Sequence, residues 1–317
     1  MKLIIQIPCH NEAATLAASI ADFPRSIPGI DIIETMVIDD GSTDGTELVA
    51  RELGIQHIVS LKGHKGLAQA FTSGIEEALW RGADIIVNTD GDNQYCGGDI
   101  PALVAPIVQN LADVVIGDRQ VSTLRHYSAV KRLLHKMGNR IIRLLAKTDI
   151  PDAISGFRAY SREAALRTVI LTDYSYSIEN LIQLSKQKLR IVSVPVSVHT
   201  SLRKSRLIKN IPHFLGQQGA TIIRTYSTYS PVKVFLAPGL ILILLGAAGL
   251  AALLWLVRNP HPAHWGVSAL SLFFGFLLIM FGIIAELTAV NRKLIITVLY
   301  KIKQLEMSRK TGPGNED

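Results

Sequence analysis

The stretches 235–257 and 266–290 limit this chain more than anything else in it. Each is longer than twenty residues and almost uncharged, and a bilayer core takes about 20 apolar residues per helix. A short loop, 258–265, separates them, so they are expected to form a helical hairpin in a membrane, behind a water-facing domain. Glu286 falls near the end of the second run, where the interface accommodates it. Lys233 precedes the first run, and Arg292, Lys293, Lys301, Lys303, Arg309 and Lys310 follow the second. The positive-inside rule then puts both ends, and the domain before them, in the cytoplasm. An apolar content of 48% and a mean hydropathy of +0.28 over 317 residues agree with that expectation. The opening MKLIIQIPCHNE turns polar too soon for a signal peptide. Cys9 and Cys96 stand far apart without metal-ligand spacing and read as free thiols in a reducing compartment.

Ahead of the apolar runs, short strand-like segments alternate with helical ones. Strands are expected over 3–7, 32–38, 57–61, 85–88, 113–117 and 191–198, and helices after Asn11 (as N-cap), over 47–53, over 67–80, and after Asp99, with Pro101 in the first turn. This alternation predicts an α/β fold with a largely parallel sheet. In such sheets ligands bind at the carboxyl ends of the strands. Three strand ends carry polar clusters. The first is Pro8-Cys9-His10-Asn11-Glu12. The second, Asp39-Asp40-Gly41-Ser42-Thr43-Asp44-Gly45-Thr46, offers carboxylates to a ribose or base, or is simply an Asp-rich turn with a cap. The third is Asp90-Gly91-Asp92-Asn93-Gln94, where Gly91 is expected to allow a tight turn. Asp90, Asp92 and the Gln94 amide are hard oxygen ligands, suited to Mg²⁺ or Mn²⁺ holding a diphosphate rather than to zinc. Between the second and third, Lys65-Gly66 opens a helix as a phosphate neighbour would, without P-loop spacing.

From Arg119 to Lys147 the chain has eight cations and no acid, against a net charge of +7 for the whole. Leu133, Leu134, Met137, Ile141, Ile142, Leu144 and Leu145 interleave at helical spacing, giving a basic amphipathic helix. Nucleic acid, plain solvent, and a membrane surface or lipid phosphate are its three readings. The two apolar runs and the lack of interleaved aromatics favour the last, against nucleic acid. A second basic cluster, Arg203, Lys204, Arg206 and Lys209, leads into 207–229, which reads as an amphipathic interfacial segment broken at Pro212. Glu179 lies on a helical stretch among aromatic and hydroxyl groups; base, acceptor-positioning group and surface charge all remain open for it.

Together with Lys65-Gly66, Gly117-Asp118-Arg119 and Ser155-Gly156-Phe157-Arg158, these three strand-end clusters resemble family 2 of the glycosyltransferases, with its GT-A fold, and most closely its polyprenyl-phosphate branch. The resemblance runs from residue 1 to about 229. It implies a GT-A domain over 1–200, interfacial helices over 201–231, the hairpin within 232–292 and a basic cytosolic tail over 293–317. It implies that Pro8, His10, Asn11, Glu12, Ile38, Asp40, Lys65, Asp90, Gly91 and Arg206 bind the nucleotide sugar. Asp90, Asp92 and Gln94 would hold Mg²⁺ or Mn²⁺, Asp90, Asp92 and Arg119 would serve catalysis, and Lys131, Arg132 and Arg203 would meet the acceptor phosphate. Family members often carry Arg-x-x-Gly-x-Ser-Lys before the interfacial helix; here Thr200 stands for the first Arg and Arg203 for the Gly.

The implied reaction is inverting transfer of a hexose from a UDP- or GDP-sugar to polyprenyl phosphate at the cytosolic membrane face. A homo-oligomer is compatible with the resemblance, and nucleic acid is not an expected partner. Two other readings are weighed against this one. Transfer to a glycolipid or polysaccharide hydroxyl would need a general base, with Glu179 the candidate. A non-catalytic nucleotide-sugar sensor would bind the donor without turnover.

Overall fold

The computed structural model describes residues 1–121, 129–170, 176–199, 231–255 and 261–310. The chain divides into two compact units, Met1–Thr221 together with Tyr300–Asp317, and Ile222–Leu299. In the first, seven strands form one sheet: β1 Lys2–Cys9, β2 Ile32–Asp39, β3 His57–Ser60, β4 Ile85–Asn88, β5 Val114–Asp118, β6 Arg158–Ser161 and β7 Ile191–Pro195. Their order is β3-β2-β1-β4-β6-β5-β7. All pairings are parallel except those of β6, which runs antiparallel between β4 and β5.

β6 has no counterpart among the expected strands. Its four residues are too few for periodicity to single out, yet they alternate as a buried strand must. Phe157 and Ala159 join the apolar cluster of Leu3, Ile5, Ile85, Val87 and Val115. That face is covered by α4, Ile100–Val108, through Ile100, Leu103, Val104 and Ile107. On the other face Tyr160 Oη donates to Asn180 Oδ1 (3.0 Å) in α7, Tyr176–Lys186. The neighbouring Arg158 is fully buried. Its guanidinium donates to the carbonyls of Ser155 (2.8 Å), Ala153 (2.8 Å) and Ser177 (3.0 Å) and to Asn180 Oδ1 (3.3 Å). One side chain thus pins the loop before β6 to the start of α7.

Several local expectations are corrected. Asn11 is not an N-cap. It has φ 56°, takes the Thr43 amide on its Oδ1 (2.8 Å), and gives its own amide to Ser42 Oγ (2.9 Å). The helix after it, α1, is only Leu16–Ile20. Asp99 does precede α4, but its carboxylate accepts from the Ser197 amide (2.5 Å) instead of capping the helix. Gly91 does not have a left-handed backbone; Asn93, at φ 58°, supplies that turn. What Gly91 provides is room, because an added Cβ would sit 2.9 Å from Cys9 Sγ and 3.4 Å from Glu12 Cγ. α2, Thr46–Glu52, α3, Leu67–Trp80, and the basic helix α5, Ala129–Ala146, lie where the pattern puts them. The interfacial segment 207–229 lies outside the described residues.

In the second unit α8, Pro231–Trp255, pairs with the first part of α9, Pro262–Lys310. Both are long and apolar enough to cross a membrane. They approach closely at Gly239 and Gly275: a Cβ on Gly275 would lie 2.8 Å from the Gly239 carbonyl. Small residues at such crossings let backbones pack without side chains between them. α9 does not stop at the end of its apolar run. Its last turns belong to the α/β unit, where Tyr300 Oη donates to the Glu163 carboxylate (2.9 Å) on α6, Arg162–Arg167. Arg167 covers the Tyr300 ring at 5.1 Å, and Lys303 pairs with Glu76 (3.0 Å).

Replacing Arg158 by Met would take its donor away from three buried carbonyls, those of Ser155, Ala153 and Ser177, while Asn180 Oδ1 keeps the Tyr160 hydroxyl, at about 1–3 kcal/mol for each group left unmade. A loss of about 3 kcal/mol or more is expected, read as a fall of roughly 6–12 °C in the melting temperature of the detergent-solubilised protein.

Candidate active site

The site is assembled at the carboxyl ends of β1, β2 and β4, which lie side by side in the sheet. The loops after β1 and β2 are sewn together by short polar side chains. Asp44 Oδ2 accepts the Ala13 amide (3.0 Å), and its Oδ1 accepts both the amide (3.0 Å) and hydroxyl (2.5 Å) of Thr46. Thr46 Oγ1 in turn accepts the Glu12 amide (2.9 Å). Asp39 accepts from the Ser42 amide (3.1 Å). The Asp-Gly-Ser-Thr-Asp-Gly-Thr run therefore fixes both loops, mostly through carboxylates taking backbone N–H groups.

Asp40 is buried and holds the loop after β3. Its carboxylate accepts the amides of Lys65 (2.6 Å) and Gly66 (2.8 Å) and lies 2.8 Å from His64 Nδ1. Its carbonyl lies 2.8 Å from His10 Nδ1, and the two imidazoles pack with centroids 4.0 Å apart and planes 30° apart. Pro8 and Ile38 are register partners on β1 and β2 just below. The structure so brings Pro8, His10, Ile38, Asp40 and Lys65 into one neighbourhood. It also gives Asp40 a framework role, setting the start of α3, that its position in sequence does not reveal.

The loop after β4 is held from its opposite side by α1. The Gly91 carbonyl lies 2.8 Å from Thr15 Oγ1 and 2.9 Å from Ser19 Oγ, and Thr15 Oγ1 is also 2.9 Å from Glu12 Oε2. Asp92 Oδ1 accepts the Gln94 amide (3.1 Å), closing a small turn. Gln94 makes its visible contacts through the backbone, its carbonyl accepting from the His199 amide (2.9 Å). Asp90 sits against Gly156; an added Cβ there would be 3.3 Å from Asp90 Oδ1. Burial pushes the Asp90 carboxyl up to about 7, Asp92 and Glu12 push the same way, and Arg119 opposes them. Three carboxyl groups influencing one another in a partly enclosed site are electrostatically unfavourable as free anions. A divalent cation relieves that repulsion, and the oxygen donors fit Mg²⁺ or Mn²⁺. The residues present therefore suit the expected metal.

Arg119 is not a free cation awaiting phosphate. It grips Asp152 as a fork, Nε to Oδ2 at 2.6 Å and Nη2 to Oδ1 at 2.9 Å, with Asp152 1% exposed. It still acts on Asp90 through its charge. Lys131 and Arg132 fall on the first turns of α5, but their side chains lie outside the described residues. α5 itself is anchored by Asn139, which donates to the Pro151 carbonyl (2.8 Å) and accepts the Ala153 amide (3.3 Å). Thr200, Arg203 and Arg206 lie outside the described residues. Glu179 is 2% exposed within α7, which overturns the surface-charge reading.

Other contributors were not visible in the sequence. Gln6 Nε2 donates to Asn88 Oδ1 (2.8 Å), and the Asn88 amide donates to the Gly156 carbonyl (2.8 Å) and to Tyr176 Oη (3.0 Å). Tyr176 stacks on Phe71 of α3 at 4.1 Å. Tyr95 Oη accepts the Gly156 amide (3.1 Å) while its ring stacks on Phe157 at 4.9 Å. Burial pushes the Tyr95 hydroxyl up to about 12, so it stays protonated. This layer lies directly under Asp90. A polar Gln6 inside the apolar β1, and the Tyr-Ser alternation before Glu179, were the available signals.

The glycosyl transferase family 2 model matches residues 4–167 of this chain. Glycosyltransferase AglJ of Haloferax volcanii is 29% identical over 291 residues, covering 89% of this chain and 92% of that protein. Polyprenol monophosphomannose synthase of Mycolicibacterium smegmatis is 28% identical over 207 residues, 62% of this chain and 77% of that one. Among solved structures, glucosyl-3-phosphoglycerate synthase of Mycobacterium tuberculosis, in complex with Mn²⁺, UDP and glucosyl-3-phosphoglycerate, superposes with a TM-score of 0.52. That match is at 22% identity and covers 72% of this chain and 79% of that one. It shares the fold, a GT-A α/β sheet. With the family model spanning over half of its length and the family's strand-end clusters meeting at one edge, the chain belongs to glycosyl transferase family 2.

Proposed function

We propose that this protein transfers one hexose from a nucleoside-diphosphate sugar to a polyprenyl phosphate at the cytosolic face of a membrane, with inversion at the anomeric carbon. The observation that carries the reading is that the loops after β1 and β4 bring Glu12 against the Asp90-Gly91-Asp92 turn, with Thr15 Oγ1 near both Glu12 Oε2 (2.9 Å) and the Gly91 carbonyl (2.8 Å), in a chain with two membrane-length helices. The name of the mycolicibacterial relative supports the acceptor, and the Mn²⁺ and UDP bound by the solved neighbour support the metal and a nucleotide donor.

In this reading the loops after β1, β2 and β3 take the nucleotide. Pro8, His10, Asn11, Glu12, Ile38 and Asp40 line its pocket, and Lys65 at the mouth of α3 faces its phosphates. Asp90 and Asp92, with Gln94, hold Mg²⁺ or Mn²⁺, which when bound supplies positive charge to the departing diphosphate. Arg119 adds charge to the same region while Asp152 fixes its direction. Lys131 and Arg132 on α5, with Arg203, serve as the cationic cradle for the lipid phosphate, and Arg206 serves the nucleotide sugar. A phosphate monoester has its second pKa near 6, so it arrives largely as a dianion and needs alignment rather than a base. A single in-line attack inverts the centre, so an α-linked donor gives a β-linked lipid product.

Membranes bearing the protein, incubated with labelled UDP-glucose, UDP-galactose, UDP-GlcNAc or GDP-mannose and undecaprenyl or dolichyl phosphate, test the proposal. A lipid product stable to mild alkali and cleaved by mild acid is the expected outcome. A product on an existing glycolipid hydroxyl, or none from any donor, would remove it. The Asp92→Asn protein is expected to insert normally but lose roughly 100-fold or more in transfer, the size that follows loss of one transition-state charge contact. Near-normal transfer by it would count against the metal assignment. Arg132→Ala is expected to raise the KM for lipid phosphate about fivefold, as removal of about 1 kcal/mol of surface attraction requires, with the donor KM unchanged. Equal changes in both would contradict its place in the cradle.

A further inference from the structure

We propose a second metal site, for a borderline ion such as Zn²⁺, formed by Asp22, Cys96 and His199. It goes beyond the transfer reaction and shares no ligand with the Asp90–Asp92 centre. A carboxylate oxygen, the Cys96 sulfur and a ring nitrogen of His199 all lie within 4.8 Å of one another. They come from three separate places: the turn after α1, the loop after Asp92, and the exit of β7. Only folding brings them together.

The surroundings match those of a ligand set. Cys96 Sγ lies 3.2 Å from Asp22 Oδ2, so a thiol proton occupies the space between two of the three donors. Asp22 Oδ1 is buried and has no hydrogen-bond partner among the described residues. Buried carboxylate oxygens without partners are costly, and coordination is one way to satisfy such an atom. His199 Nδ1 lies 3.2 Å from the Asn93 carbonyl. Donation to that carbonyl would hold the proton on Nδ1 and leave Nε2 with its lone pair, the arrangement by which backbone carbonyls orient metal-binding imidazoles. Thiolate, imidazole and carboxylate together favour zinc over magnesium, and three protein ligands leave a fourth position for water. On binding, the Cys96 thiol releases its proton to solvent and the sulfur becomes the ligand.

The position gives the ion a task. Residues 94–96 and 197–199 already meet in a single antiparallel bridge, Tyr95 opposite Val198, with the His199 amide on the Gln94 carbonyl (2.9 Å). Asp22 takes the amides of Gly97 (2.9 Å) and Gly98 (3.4 Å). An ion on all three side chains would lock the loop carrying Asp92 to its two supports, so its effect on transfer would be through rigidity of that loop, not through chemistry.

The test is titration of the purified full chain with Co²⁺ and then Zn²⁺. A thiolate-to-cobalt charge-transfer band, saturating at a single equivalent and displaced by Zn²⁺, is expected. Ions held only by Asp90 and Asp92 give no such band. Cys96→Ser should abolish the band, and His199→Gln should weaken Zn²⁺ binding by at least the roughly 10–100-fold seen when even an outer-shell partner is lost, while Cys9→Ala leaves both unchanged. Melting curves of the variants without metal establish that they fold; should Cys96→Ser not fold, His199→Gln alone decides. Absence of the band in the unaltered protein, its loss in Cys9→Ala, or unchanged Zn²⁺ affinity in His199→Gln would overturn the site.

Discussion

Crowding of carboxyl groups between the loops after β1 and β4 is the constraint around which this edge of the sheet is arranged. Burial, with Asp92 beside it and Glu12 on the neighbouring loop, pushes the Asp90 carboxyl up. Both loops are nonetheless fastened together. Thr15 and Ser19 reach the Gly91 carbonyl, Thr46 holds the Glu12 amide, and Asp44 spans from the second loop to the first. Almost every fastener is a neutral hydroxyl or a carboxylate already spent on backbone amides. The acids in the site can thus be held close without adding free anions to it.

Beneath this edge lies a polar layer that apolar packing would not need. Gln6, Asn88, Tyr176 and the Gly156 backbone form one connected set, with Arg158 satisfied by carbonyls on its far side. Buried polar sets of this kind are costly when incomplete and specifying when complete. Here, although Gln6 Oε1 has no hydrogen-bond partner among the described residues, they fix the spacing between β4, β6 and α7, and with it the wall against which Asp90 rests. Arg119 and Asp152 do the same on the adjoining side. Arg158, part of a family motif, is occupied with holding the frame, and Asp40 holds the start of α3 in addition to its proposed place in the nucleotide pocket.

What was legible in the sequence was what local pattern records. The strands β1 to β5 and β7, the polar clusters at their ends, the basic helix and the two apolar runs all have short-range signatures, and all lie where those signatures put them. What was hidden depends on partners far along the chain. β6 is recognisable only through its neighbours β4 and β5, 70 and 40 residues away or thereabouts. Asn11 looks like a helix cap until Thr43 and Ser42 claim it, and Gly91 looks like a turn residue until Cys9 is seen against it. Glu179 is polar in pattern and buried in fact, because its helix is enclosed.

The final turns of α9 bear on how the protein is made. Tyr300, Lys303 and Met307 are contributed to the α/β unit from beyond both long apolar segments. A ribosome makes them only after both of those segments. The nascent amino-terminal domain must therefore wait, nearly complete but lacking its closing strut on Glu163 and Glu76, until both long apolar helices have been synthesised.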